Sequence, residues 1–162
     1  MLTTQRLTLR PIALSDLEQV WVMADDFEVV RHTGTWPWPA DREFTASRCG
    51  TGFTDTGGWL VALNGDDLVG TIGLKHDGDL GYMLARAHWG QGYATEMGHA
   101  VVNHARRMGG WDMLKACVFD DNPASGRVLE KLGFVQGPNC VGHCEARNGD
   151  FAILTYTMAL KS

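Results

Sequence analysis

Apolar and polar residues alternate through RLTLRPI (residues 6–12) up to Pro11, which predicts a first strand. The period then lengthens. In SDLEQVWVMAD (15–25), Leu17, Val20, Trp21 and Ala24 share one helical face, with Ser15 as N-cap and Glu18 completing a capping box. DDFEVVRHTG (25–34) predicts a second, short helix closed by Gly34. TWPWPA (35–40) is not helical, because each proline removes a donor and restricts the residue before it. Asp41 then caps a helix running to about Cys49. In GWLVALNGDDLVGTIGLKH (58–76) two apolar runs flank Asn64-Gly65, a hairpin signal, and LGYML (80–84) adds a third strand.

The second half reads as helix, strand, helix and two strands. GYATEMGHAVVNHARRM (92–108) carries a stripe of Tyr93, Met97, Ala100, Val101, His104 and Met108, with Glu96, His99, Asn103 and Arg107 away from it. LKACVFD (114–120) is a strand. NPASGRVLEKLGF (122–134) is a helix with Asn122 as N-cap, Pro123 at its first position and Gly133 just past its end. Two late strands lie near 134–146 and 151–160. This order predicts an α/β (α+β) fold, a single domain over residues 1–162 with a central twisted mixed sheet flanked by helices.

Composition narrows the class. A chain of 162 residues can bury one sizeable core, and 44% hydrophobic with 20% charged residues describes an ordinary globule. A net charge of −5 excludes a broad nucleic-acid footprint and argues mildly against acidic partners. No apolar run approaches the ~20 residues of a membrane span. MLTTQRLTLRP (1–11) lacks the apolar centre of a signal peptide, so a cytoplasmic location is expected. Cys49, Cys117, Cys140 and Cys144 are irregularly spaced, which favours reduced thiols. CVGHC (140–144) holds two Cys and a His without a second ligand pair. On a strand Cys140 and Cys144 share a face with His143 opposite, so no metal site is expected.

HWGQGYATEMGHAVVNHA (88–105) places Gly90 and Gly92 directly before a helix. The first-turn amides and the helix dipole there attract an anion, and glycine lets a diphosphate approach the backbone. On its own the same stretch also reads as a tight turn.

Three segments together carry a family resemblance. LGYMLARAHWGQGYATE, DNPASGRVLEKLGF and RLTLRPIALSDLEQVW resemble, in combination and in order, the strand and pyrophosphate loop, the second cofactor segment and the opening of the GNAT acetyltransferase superfamily. The similarity is particularly to its Rim-type ribosomal-protein N-terminal acetyltransferases and covers about residues 5 to 160. The superfamily's loop commonly opens with Gln or Arg. Here Trp89 stands in that place, while Gly92 and Ala94 match the loop's last two positions.

The resemblance implies acetyl-CoA as co-substrate and a primary amine as acceptor, either a small molecule or a protein N-terminus, with direct transfer in a ternary complex. It implies cofactor contacts from Met83, Leu84, Trp89, Gly90, Gln91, Gly92, Tyr93, Ala94, Thr95, Asn122, Ser125 and Arg127. In particular, the backbone around Met83 and Leu84 binds the pantetheine arm and polarises the thioester carbonyl. Of the basic residues Arg86, His88, Arg127 and Lys131, Arg127 is favoured for the nucleotide end. Many members place a leaving-group tyrosine where this chain has Leu129, and some Rim-type relatives use a serine at the place of Ser125.

An amine near pKa 10 must lose a proton, and Asp79, two positions before Gly81-Tyr82, is the candidate base, with His76 across the same turn as runner-up. Trp36 and Trp38 on the proline-stiffened loop are candidates for the acceptor wall. A non-catalytic acyl-CoA sensor, a different acyl donor and a homodimer remain open.

Overall fold

The computed structural model describes residues 1–161. The chain opens with strands β1 (Leu2–Thr3) and β2 (Thr8–Pro11), then helices α1 (Leu17–Ala24), α2 (Phe27–Val30) and α3 (Arg42–Cys49). A short strand β3 (Phe53–Thr54) precedes the meander β4 (Gly57–Asn64), β5 (Asp67–Leu74) and β6 (Leu80–Leu84). Helix α4 (Tyr93–Met108), strand β7 (Met113–Phe119), helix α5 (Pro123–Leu132) and strands β8 (Val135–Cys144) and β9 (Gly149–Ala159) complete it.

The mixed α/β class holds, but the one central sheet resolves into two. The first runs β1-β2-β4-β5-β6, with β3 on the start of β4; the second runs β7-β9-β8, and every strand pairing is antiparallel. The crossover through α4 makes β6 and β7 parallel neighbours. Among the described residues their backbone pairing is the bridge between Asp79 and Lys115, where Lys115 N–H donates to the Gly78 carbonyl at 2.9 Å. A Cβ at Gly78 would lie 2.4 Å from the Met113 carbonyl oxygen, so the two backbones meet at the residue without a side chain.

Alternation along β4 feeds two cores. Val61 and Leu63 face α1–α3 with Val20, Met23, Val30 and Cys49; Leu60 and Ala62 face α4 and α5 with Met97, Val101 and Leu129. Among the described residues no helix is long and apolar enough to cross a membrane.

Several local expectations shift. Ser15 is not the cap of α1, because a 3-10 turn over Leu14–Asp16 precedes that helix. Asp16 organises the turn instead, accepting from Ala13 N–H at 2.8 Å and pairing with both terminal nitrogens of Arg10. The second helix shortens to Phe27–Val30, with the Asp26 carboxylate accepting from Glu28 N–H. Asp41 caps α3 as expected, accepting from Phe44 N–H. On α4 the buried face turns toward Ala94, Gly98, Val102 and Ala105, because the helix packs on α5 as well as on the sheet; Met108 is exposed. Asn122 stands at the N-cap position of α5, but its side chain makes no capping bond.

Candidate active site

Beyond the bridge at Asp79 the gap between β6 and β7 opens into two cavities, of about 420 and 290 Å³. They share His32, Thr33, Tyr82, Met83 and Ser125 in their linings, so they adjoin along these residues.

The larger cavity lies between β6, the start of α4 and α5. Gly90 and Gly92 both take left-handed backbone (φ +73° and +81°), and a Cβ on Gly90 would meet no atom within 4 Å. Glu96 N–H donates to the Gly92 carbonyl at 3.0 Å as the first bond of α4, so the amides of Tyr93, Ala94 and Thr95 precede the ladder. The start of the helix is anchored by Glu96, which accepts from the Arg6 backbone N–H (2.9 Å) and Nε (2.7 Å), while Arg6 stacks over the Tyr93 ring.

The phase of β6 decides which amides reach this cavity. Ala85 N–H donates to Val69 O and Lys75 N–H to Asp79 O, both at 2.9 Å. With antiparallel alternation, positions 81 and 83 therefore bond to β5, and positions 82 and 84 point to the open edge. This corrects the expectation for Met83, whose backbone pairs with Thr71 while its side chain lines the cleft. The Leu84 carbonyl is taken by the Trp89 indole N–H at 2.9 Å. The Leu84 N–H and both backbone groups of Tyr82 remain toward the cleft.

At the junction of the cavities, the Tyr82 hydroxyl hydrogen-bonds the Ser125 hydroxyl. Burial pushes the Tyr82 phenol up to about 12, while the bond to Ser125 pulls the other way. Asn122, one turn before Ser125, lines the larger cavity.

The smaller cavity lies on the α3 side. Trp36 is buried, packs edge-on against Phe44 at 5.2 Å, and forms part of the wall. Trp59 forms another part. A Cβ on Gly73 would sit 2.5 Å from its ring, so the indole lies over a strand position that has no side chain. Asp79 lines this cavity at its mouth, half-buried and paired with Lys75 Nζ at 3.1 Å. His32 faces both cavities. Burial, then the Arg31 cation, hold its imidazole below the ordinary value, and its buried Nδ1 has no partner among the described residues.

Other expected residues stay outside. His76 is exposed in its turn and lines neither cavity. Gln91 bonds the Ala87 carbonyl at 3.1 Å, away from the cavity wall. Trp38 packs against Phe27 instead of the cleft. Arg127 is exposed, because Ala124, Val128 and Lys131 make up the face of α5 that lines the larger cavity and Arg127 lies off it. Of the four basic candidates, Lys131 and His88 reach this cavity, and Arg86 is ion-paired with Asp26. Cys140 is exposed and Cys144 buried, its thiol against the Thr33 carbonyl, while His143 pairs with Glu145 and Asp150. Sequence reading missed Tyr82, His32, Trp59 and Arg48. Only Trp59 left a trace, the glycines at 73 and 81 that keep its place open.

Comparison with known proteins agrees with this architecture. The Acetyltransferase (GNAT) domain family matches residues 6–135. An uncharacterised N-acetyltransferase of Bacillus subtilis, YoaA, is 30% identical over 145 residues, covering 83% of this chain and 82% of that protein. The fold matches the ribosomal L7/L12 alpha-N-protein acetyltransferase RimL in complex with coenzyme A (TM-score 0.81, 16% identity, 96% and 95% of the two chains). It also matches spermidine N-acetyltransferase from Vibrio cholerae in complex with coenzyme A and spermine (TM-score 0.77, 15% identity, 96% of each chain). The chain belongs to the GNAT acetyltransferase family and is an acyltransferase.

Proposed function

We propose that this GNAT enzyme, one catalytic domain over its whole length, moves an acetyl group from acetyl-CoA to a primary amine by direct transfer, with both substrates bound together. The observation that carries the reading is the pair of adjoining cavities, both lined by the hydrogen-bonded Tyr82 and Ser125. Coenzyme A in complexes of RimL and of the Vibrio cholerae enzyme supports assigning the larger cavity to the acetyl donor.

The residues present fit that group. The unbonded amides of residues 93–95 and the open space over Gly90 suit a diphosphate, with Lys131 nearby as a cation. The open edge of β6 suits an amide-bearing arm, and the uncommitted side chain of Asn122 adds a polar contact. When bound, acetyl-CoA supplies an activated acyl carbon and a sulfur leaving group.

The chain's own residues then act as follows. The Leu84 N–H donates toward negative charge developing on the acyl oxygen. The Ser125 hydroxyl donates toward the departing sulfur, held in place by Tyr82. A thiol near pKa 8.5 leaves readily as thiolate, so a hydrogen bond suffices. Asp79, facing the smaller cavity, takes the proton released by the amine, directly or through water. A second reading gives this proton to His32, which faces both cavities and is held neutral by burial. Similarity to transferases of protein amino termini and of spermidine supports an amine acceptor and extends beyond the Rim-type branch.

The test is an amine panel with acetyl-CoA, read by thiol release and by mass of the product. Amine-dependent release matched by an N-acetylated product supports the reading. Binding of acetyl-CoA with no release for any amine points to a sensor instead.

A further inference from the structure

Arg48 is set apart from the other arginines. Arg6, Arg10, Arg31, Arg42, Arg86 and Arg147 each pair with a carboxylate, and Arg106, Arg107 and Arg127 are exposed. Arg48 is half-buried and lines the smaller cavity, and no carboxylate of the described residues forms an ion pair with it. Its guanidinium stacks 4.7 Å from the Phe44 ring centroid and 6.0 Å from that of Trp36. One bond to the Thr35 hydroxyl at 3.0 Å is its only hydrogen bond among the described residues. Burial alone pulls it below the ordinary arginine value.

A guanidinium has five donors in a planar fork, and desolvating it costs free energy unless an anion takes them. Here the ring stacking fixes its plane and Thr35 uses one donor, so the remaining fork is available to a ligand in the cavity. The same cavity has Asp79 at its mouth, a carboxylate suited to an ammonium, and apolar walls from Trp36 and Trp59. At about 290 Å³ it suits a small molecule or a short chain terminus.

We propose that the acceptor is an amine that also carries a carboxylate, and that Arg48 is the residue that selects it. This rests on the smaller cavity being the acceptor site. A zwitterion has no net charge, so the −5 of the protein does not repel it, whereas a polyamine would bring a second cation toward Arg48. The carboxylate has two sources, a free amino acid or an acidic side chain near a peptide's amino terminus.

The experiment compares matched pairs on the coenzyme A-loaded protein, by calorimetric binding and by acetylation. Tryptophan is set against tryptamine and leucine against isopentylamine. Ala-Asp-Ala amide against Ala-Asn-Ala amide separates the peptide source from the free amino acid. In at least one pair the carboxylated member should bind about tenfold or more tightly, as expected for a charge-assisted fork contact. Arg48→Gln should reduce that ratio to near unity, with coenzyme A binding certifying its fold. Equal or better binding by the partner without the carboxylate in every pair, no binding by any carboxylated probe, or a preference that survives Arg48→Gln would each overturn the inference. Carboxylate binding that depends on Arg48 but leads to no acetylation would leave Arg48 as a carboxylate-binding residue and overturn these amines as acceptors.

Discussion

The Tyr82 hydroxyl on β6 and the Ser125 hydroxyl on α5 bond to each other across the gap between the two sheets, at the point where the two cavities join. In the proposed reaction the pair lies where the sulfur passes between the donor and acceptor sides. In that reaction Ser125 would face the leaving group beside a phenol that stays protonated, since burial pushes Tyr82 up to about 12.

Ser125→Ala is expected to lower turnover on the order of tenfold with little change in acetyl-CoA affinity, because a bond to the departing sulfur strengthens as charge develops. Tyr82→Phe should give a smaller loss, and the double variant should fall short of the product of the two, as for groups acting as one unit. Single-turnover rates with the four proteins check this. An untouched rate in Ser125→Ala would make it a helix residue only.

The proton acceptor is separated by pH–rate profiles of Asp79→Asn and His32→Gln. If Asp79 serves, its variant should lose about 10²-fold at neutral pH, the low end for a general base because water can replace a carboxylate, and recover partly at high pH where the amine is already neutral. His32→Gln should then keep the wild-type profile. The reverse pattern moves the role to His32. His76→Gln is expected to change nothing, since His76 lies outside both cavities.

Stability below neutral pH should depend on Asp16, which is buried and held by Arg10 well below the usual carboxylate range. Its folded value lies below its unfolded value of about 3.9. The stabilisation is therefore present above that value and is lost as pH falls through the folded one. Asp16→Asn should cost about 2–3 kcal/mol at pH 7, less than the loss of a fully buried pair because Arg10 keeps a third of its side chain in water. The difference between the two proteins in denaturant titrations should begin to shrink below about pH 4 and close only once the pH has fallen below the folded value. A pH-independent difference would contradict the account.

Much of the fold was legible because its signals are local. Asn64-Gly65 turns β4 into β5, Asp41 caps α3, and Pro123 and Gly133 bound α5. The glycines before α4 were legible for the same reason, since φ of +73° and +81° is a property of the backbone at those residues. What escaped is set by the crossover. Tyr82 and Ser125 are 43 residues apart and meet through the crossover that sets β7 and α5 beside β6, with the two strands bridged at Asp79 and Lys115. Arg48 lines the smaller cavity and His32 both cavities through the packing of α2 and α3 on the sheet, which no short pattern encodes. Asp16 replaced Ser15 at the start of α1 because Arg10, on a neighbouring strand, made the carboxylate the better anchor. The phase of β6, which turns Leu84 and not Met83 to the open edge, depends on its register with β5.

The central claim is that donor and acceptor meet at Ser125, one from each of the two adjoining cavities. A crystal structure with a bisubstrate adduct, coenzyme A joined through its sulfur and an acetyl linker to a primary amine, tests it most directly. The account predicts the diphosphate on the amides of residues 93–95, the sulfur beside the Ser125 hydroxyl, and the amine portion between Trp36 and Trp59. An adduct with its diphosphate elsewhere, or with both halves in the larger cavity, would contradict it.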